Sequence, residues 1–290
     1  MASLEPAGTT QTLADQSFRR PLTLLEYPSL YVHLVGARIR GQMQYQVSFV
    51  LQLIGSALGT LIDFVEILLL FRFVQTLGGW SFPEVMFLYG LAATAFSIAE
   101  ALASGFDRFH LNIVDGVFDR VLVRPIDSLF QIFASDFGIR RVARIAQSFA
   151  IIGISMTMLS VDWRFDRIAL LAIAIVSGVA IFFAFFIFGA AFNFWTVQAN
   201  EVVNIFTHGG SLVASYPLDI YAVWLRRLVA FIIPLGFINY FPALYILGRP
   251  ETAEYPLFLR FISPIVAIVV NMLALRLWSR GVRQYQSTGS

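Results

Sequence analysis

Apolar residues in this chain form long, nearly uninterrupted segments that are separated by short polar connections. Six of these segments reach membrane-spanning length, since a helix needs about 20 apolar residues to cross the hydrocarbon core. The pattern therefore predicts an all-α integral membrane protein with six transmembrane helices in residues 47–278. The predicted spans are residues 47–71, 84–104, 142–160, 168–195, 227–247 and 258–278.

Three polar segments lie outside these spans. Residues 1–22 lack the apolar core of a signal peptide, so they are predicted to be a disordered cytoplasmic tail. Residues 23–46 mix leucines with Arg38 and Arg40, a pattern typical of an amphipathic helix that lies in the membrane interface. Residues 279–290 are predicted to be a cytoplasmic C-terminal tail.

The composition agrees with a membrane location and excludes several kinds of site. Hydrophobic residues make up 58% of the chain and charged residues 13%, against roughly 45–50% and 25% in soluble domains. The chain contains no cysteine and no lysine. Disulfides and thiolate metal sites are therefore excluded, and so is a standard P-loop, which needs a lysine to reach the nucleotide phosphates.

The arginines predict the orientation. With the N-terminus in the cytoplasm, fifteen of the twenty arginines fall on the cytoplasmic side, including Arg226 and Arg227, and five, including Arg249, fall outside. This asymmetry follows the positive-inside rule, so both termini are expected to be cytoplasmic. Because topology explains the basic residues, nucleic acid is not expected as a partner.

Carboxylates occur at membrane depth in two places. Asp63 and Glu66 share one face of the first span, either as a substrate or cation contact or as groups that are hydrated near the outer end or paired with an arginine such as Arg72. Glu100 falls near the cytoplasmic end of the second span, where pairing with Arg144 is expected.

Two prolines predict an irregular fifth span. Pro234 and Pro242 both remove a backbone donor and clash with the preceding turn, so this span is expected to be kinked or broken there.

No constellation for catalysis or metal binding is evident. His33, His110 and His208 are isolated in the sequence and are expected near loops or interfaces, so no metal site is assigned. No nucleophile or acid–base motif is present either, and the chain is not expected to be an enzyme.

The connection at residues 105–127 is unusually charged for a link between two spans. Its aspartates are Asp107, Asp115, Asp119 and Asp127, and its arginines are Arg108, Arg120 and Arg124. The positive-inside rule does not require the aspartates, so the segment is predicted to contact something outside the bilayer.

Four segments carry a resemblance to bacterial type-2 ABC exporter permeases, the "ABC-2 family transporter protein" group. They are GVFDRVLVRPIDSLFQ at 116–131, YPLDIY at 216–221, FINYFPALYILG at 237–248 and WSRGVRQYQSTGS at 278–290. The similarity extends over nearly the whole chain after about residue 25.

This resemblance implies a complex in the bacterial cytoplasmic (inner) membrane. Two copies of a separate ATP-binding subunit would carry ATP and Mg²⁺, and a second permease, identical or related, would complete the pore. The loop after the second span would form a coupling helix, with Phe118 among its apolar anchors, that docks on the ATPase. The residues placed at this contact are Asp115, Gly116, Phe118, Asp119, Arg120, Arg124 and Pro125.

The expected function is ATP-driven export of an amphipathic or lipid-like substrate, such as a drug, peptide or glycolipid. The alternative is an ion-coupled secondary transporter that uses Asp63, Glu66 and Glu100, although no internal repeat of the kind common in such transporters is evident. A third possibility is a membrane assembly partner that transports nothing.

Overall fold

The structure is a computed structural model that describes residues 26–44, 46–138, 141–196, 204–250 and 255–286. The predicted tail at 1–22 and residues 287–290 lie outside the described residues. Within the described ranges every regular element is helical, and no strand is formed.

Thirteen α-helices are named here in chain order. They are α1 (Glu26–Met43), α2 (Gln46–Phe73), α3 (Phe82–Leu102), α4 (Ser104–Asp107), α5 (Phe109–Val114), α6 (Val117–Leu122), α7 (Ser128–Phe133), α8 (Val142–Met158), α9 (Phe165–Phe192), α10 (Gly210–Ala214), α11 (Val223–Arg227), α12 (Tyr240–Ile246) and α13 (Ser263–Gln284). Two π-helical segments, Ile205–Gly209 and Leu228–Ile232, and three 3₁₀ segments, Leu218–Ile220, Leu235–Phe237 and Leu257–Arg260, complete the set.

Helix α3 is the centre of the bundle. It packs against α8 on one side and against α9 on the other, while α13 packs on α9 and α2 contacts α8. The close approach of α3 to α8 depends on Gly90, because a β-carbon there would lie 2.7 Å from the Ile152 side chain. The aromatic side chains of α9 fill the other side, with Phe182 and Phe186 fully buried beside Phe96.

The start of α3 is determined by local sequence. The Glu84 carboxylate accepts hydrogen bonds from the Ser81 backbone N–H and hydroxyl, both at 2.8 Å, so a donor at the helix start that has no helical partner is satisfied. Pro83 lies in the first turn, where its missing N–H removes no helical hydrogen bond. Arg249 pairs with Glu84 at 2.8 Å and lies 3.8 Å above the Trp80 ring.

The bundle has two ends. We call the end that carries residues 103–138 the loop end, and the end where α3 begins the Trp80 end. Trp80 is fully buried and donates a 2.7 Å hydrogen bond to the Asp219 carboxylate, which also accepts one from the Tyr240 hydroxyl.

The segment predicted as the fifth span, 227–247, is broken in the structure, as Pro234 predicts. Residues Val223–Ile232 and Leu235–Ile246 are bent by 68° at the break that contains Pro234. Pro242 breaks nothing, because it lies in the first turn of α12.

Both ends of this bent pair lie at the Trp80 end. Arg226 lies 3.5 Å from Asp219, the hydrogen-bond partner of Trp80, and Arg249 follows α12 and stacks on Trp80 itself. The structure therefore brings together two arginines that the arginine count assigned to opposite sides.

Residues 204–220 extend from the loop end of the bundle to the Trp80 end. His208 lies 3.5 Å from Glu100 toward the loop end. Eleven positions later, Asp219 contacts Trp80. Sequence reasoning missed this connection because its residues, IFTHGGSLVASY, are too polar and glycine-rich to form an apolar segment of spanning length.

By length and apolar composition, four described helices are able to cross a membrane, or five if the bent pair counts as one. They are α2, α3, α9 and α13, while α8 is shorter at 17 residues. Helix α13 begins five residues later than the predicted 258 and continues to Gln284, into the segment predicted as a tail.

Candidate functional site

A polar cavity of about 240 Å³ lies between α2, α3, α8 and residues 208–216. Apart from the apolar Ile67, Ala93, Phe96 and Leu212, its lining is polar or ionisable. These residues are Asp63, Glu66, Tyr89, Ser97, Arg144, His208, Ser211, Ser215 and Tyr216.

The structure places Asp63 and Glu66 together on this cavity, as their spacing on one helix face predicted. Arg72 is exposed, and within the described ranges no ion pair joins it to either carboxylate. The arginine that shares the cavity with them is Arg144 of α8. The two carboxylates are exposed and lie at the edge of a cavity between helices.

Glu100 is buried next to this cavity, toward the loop end, and is surrounded by basic groups. Its oxygens lie 3.0 Å from Arg141 Nη2 and 3.0 Å from Arg144 Nη1, so the predicted pair with Arg144 is present. Arg141 is itself buried and donates a 2.7 Å hydrogen bond to the Ser104 hydroxyl. Removing one member of such a buried pair costs roughly 3–5 kcal/mol, because the remaining charge stays buried without compensation. This network joins α3 to α8.

His208 is isolated in the sequence and partly exposed, but it lines this cavity beside Glu100. Its Nε2 lies 3.5 Å from Glu100, and its ring packs edge-on against Phe96 with centroids 5.2 Å apart. It lies in the π-helical segment Ile205–Gly209, and such irregular turns are frequent at functional sites. The sequence signal was the cluster of polar residues from Thr207 to Ser215 in an otherwise apolar chain.

Ser97 adds a polar atom without a partner to the cavity wall. It is fully buried, and its hydroxyl has no hydrogen-bond partner in the described part of the chain. Since buried polar groups are nearly always hydrogen-bonded, the cavity is suited to water or to a polar ligand group.

The charged loop forms two short helices that meet at a tight turn. Helix α5 ends at Val114 and α6 begins at Val117. Gly116 between them has φ +63°, a left-handed conformation that glycine adopts without strain. Past α6, the Asp127 carboxylate accepts a 2.9 Å hydrogen bond from the Phe130 N–H and caps α7.

Phe118 is not exposed as an anchor on this loop. It is fully buried, with ring centroids 5.2 Å from Phe109, 5.3 Å from Phe194 and 5.1 Å from Tyr285. Trp278 of α13 completes the cluster. The sequence of α6 alternates apolar and charged residues, so it does not show which side of the helix faces the protein. The aromatic partners of Phe118 come from distant parts of the chain.

The exposed apolar residues of the loop are different ones. Val123 is 82% exposed and Leu122 41% exposed, directly before the exposed Arg124 and Pro125. Burial raises the pKa of the Tyr285 hydroxyl, which follows α13, and the half-buried Asp119 carboxylate raises it further.

Comparison with protein families gives one finding. Residues 57–289 match the family described as "ABC-2 family transporter protein". The chain belongs to this family. Searches of curated proteins and of solved structures gave no match.

Membership makes this chain the membrane permease component of an ABC transporter and a multi-pass membrane protein. Permeases of this family are generally not catalytic and work with an ATP-binding subunit. The lack of lysine agrees with this division of labour.

Proposed function

We propose that this ABC-2 permease exports an amphipathic or lipid-like substrate across the bacterial cytoplasmic membrane, driven by a separate ATP-binding subunit. Two copies of that subunit would act on a pair of permeases, the second being a copy of this chain or a related one. Both termini would be cytoplasmic, and so would the loop end.

The observation that carries this proposal is the exposed apolar tip of the loop, Leu122–Val123 followed by Pro125. Exposed apolar residues that cluster on a polar loop indicate a protein contact. The neighbouring charges, Asp115 and Arg124, suit a polar rim around that contact. Phe118 supports the tip from within by fixing α6 to α9 and α13.

The aromatic cluster would also transmit a movement of the loop to the long helices. A displacement of α6 would press Phe118 against Phe194, at the end of α9, and against Trp278 in α13. ATP binding would then act on these two helices as well as on α3, to which the loop is directly linked.

The connection between the two bundle ends supports a revised topology. We propose that residues 204–220, rather than 227–247, provide the fifth crossing, and that the bent pair is a re-entrant hairpin on the outer side. A polar, irregular crossing is tolerated where it lines a cavity, and residues 208–216 do line one.

The polar cavity is the proposed substrate pathway. Its carboxylates lie on α2, the helix with the least protein around it, so a substrate in the bilayer has access from that side. The alternative of an ion-coupled secondary transporter loses one of its three carboxylates, because Glu100 already pairs with two arginines.

Co-purification tests the proposal. The chain isolated from its native membrane is expected to carry an ATP-binding subunit, and Val123→Glu is expected to release that subunit while the permease stays folded. Gln286→Glu is the matched control, since it adds the same charge at another exposed position after α13.

Stoichiometric isolation without any ATPase, together with transport driven by a proton gradient alone, would contradict the proposal. If Val123→Glu and the control lose the ATPase equally, the added negative charge weakens the contact wherever it is placed, and the loop tip has no special role.

A further inference from the structure

A second cavity, of about 510 Å³, lies at the loop end between α1 and the loop, within the range of roughly 300–1,000 Å³ typical of small-molecule sites. Its α1 wall is apolar and consists of Leu30, Leu34 and Ala37. The opposite wall combines apolar residues with two arginines. Its polar residues include Arg120, Arg124 and Gln131.

The charge of this cavity is positive only. Arg120 and Arg124 are four residues apart, at the end of α6, and both line the cavity. Neither guanidinium has an ion pair or hydrogen bond with the residues that the structure describes. No acidic residue is among the described lining residues. Two arginines in a cavity whose described lining has no acidic residue are suited to phosphate, which they bind through charge-assisted hydrogen bonds.

Gln131 adds an acceptor at the same place. Its amide nitrogen donates to the carbonyl oxygens of Val121 at 2.9 Å and Ile126 at 2.8 Å, which determines the orientation of the amide. Its Oε1 atom is buried and has no partner in the described residues. A ligand hydroxyl would satisfy it.

The two walls are held together by aromatic stacking. The Tyr31 ring of α1 stacks on Phe133 of α7 with centroids 4.7 Å apart. Because α1 directly precedes α2, the cavity lies where the chain enters the bilayer, beside the lipid headgroups.

We propose that this cavity binds an anionic phospholipid with a hydroxyl-bearing headgroup, such as phosphatidylglycerol. Arg120 and Arg124 hold its phosphate, Gln131 accepts from its hydroxyl, and part of an acyl chain lies against Leu30 and Leu34. The lipid thereby connects α1 to the loop. The site is separate from the proposed substrate pathway, and it shares Arg124 with the proposed rim of the ATPase contact.

The test measures lipid retention by the purified full-length chain. The chain is placed in phosphatidylcholine nanodiscs that contain a small share of phosphatidylglycerol, and bound lipid is counted by native mass spectrometry. The expected result is one retained phosphatidylglycerol per chain. Arg120→Gln/Arg124→Gln is expected to weaken its binding at least about tenfold, which corresponds to about 1.4 kcal/mol.

Arg276→Gln/Arg280→Gln is the matched control. These arginines have the same spacing, are exposed on α13 and do not line the cavity. Equal loss of lipid in both double variants would overturn the proposal, since a general surface charge would then be responsible. Full retention in Arg120→Gln/Arg124→Gln would overturn it too.

Leu34→Trp changes the apolar α1 wall of the cavity without changing its charge. If the arginine variant does not fold, this variant decides whether the cavity binds the lipid. It is expected to reduce phosphatidylglycerol retention by filling the cavity. If Leu34→Trp has no effect and inorganic phosphate displaces the lipid, the site binds a free anion and the proposal is wrong.

Discussion

Helices α2 and α3 are neighbours in sequence and both are apolar, yet the protein surrounds them very differently. In α3, 83% of the residues in its most apolar stretch are buried within the chain, against 6% in α2. Helix α2 is nevertheless the more apolar of the two. Apolar character in a membrane protein therefore does not locate the core, because lipid satisfies an apolar surface as well as protein does.

The same difference separates their carboxylates. Glu100 of α3 is surrounded by two arginines and a histidine, as a buried charge requires. Asp63 and Glu66 of α2 face a cavity and are largely exposed in the single chain. The charge of the packed helix is paired within the chain, whereas the charges on the open helix border a cavity.

The largest expected effect comes from breaking the buried ion pairs. Glu100→Gln should destabilise the protein by roughly 3–5 kcal/mol, because the buried Arg141 would keep only the more distant Asp107, at 3.5 Å, as a counter-charge. The measurement is thermal or denaturant unfolding in detergent. Glu66→Gln on α2 is the control and should leave stability nearly unchanged. Equal losses would show that the two helices do not differ as described.

Truncating a side chain should destabilise the protein much more in α3 than in α2. Phe87→Ala in α3 removes a fully buried ring and should cost roughly 3–5 kcal/mol through lost contacts and a cavity. Ile62→Ala in α2 removes a side chain that is 67% exposed, so its unfolding midpoint should stay near the native value. A large loss for Ile62→Ala would indicate that α2 is covered by a partner chain.

Replacing glycine by alanine should lower stability in α3 and leave it unchanged or raise it in α2. These changes should be smaller than those of the core truncations. Gly90→Ala should cost about 1–3 kcal/mol, because the new methyl group would press on Ile152 of α8. Gly55→Ala should be neutral or stabilising, since nothing lies within 4 Å of the added carbon and alanine favours a helix over glycine. If Gly55→Ala is destabilising, another chain packs closely on α2.

The smallest effect on stability is expected where function should change most. Asp63→Asn/Glu66→Gln should leave the unfolding temperature close to native but alter substrate-stimulated ATP hydrolysis by the complex. Unchanged stimulation would remove these carboxylates from the substrate pathway.

The predicted helices mostly coincide with those of the structure, since residues 84–104 and 168–195 correspond to α3 and α9. The fifth span was different. Apolar residues at 227–247 were interpreted as a crossing, but Pro234 breaks the helix and both ends return to Trp80. Residues 204–220 extend between the two ends of the bundle, and hydropathy gives no signal for them because the segment is polar and contacts protein and a cavity.

The sequence by itself determined that the chain is an apolar, helical membrane protein without a standard P-loop. Long apolar segments require lipid around them, and a chain without lysine has no P-loop lysine. These two conclusions depend on composition and local periodicity, which need no tertiary contacts, whereas the ATP-binding partner is implied by the family. Only the tertiary structure decided which side chains meet. His208 reaches Glu100 across 108 positions and Phe118 turns inward toward Trp278, because long-range packing chooses among faces that the local pattern leaves equivalent.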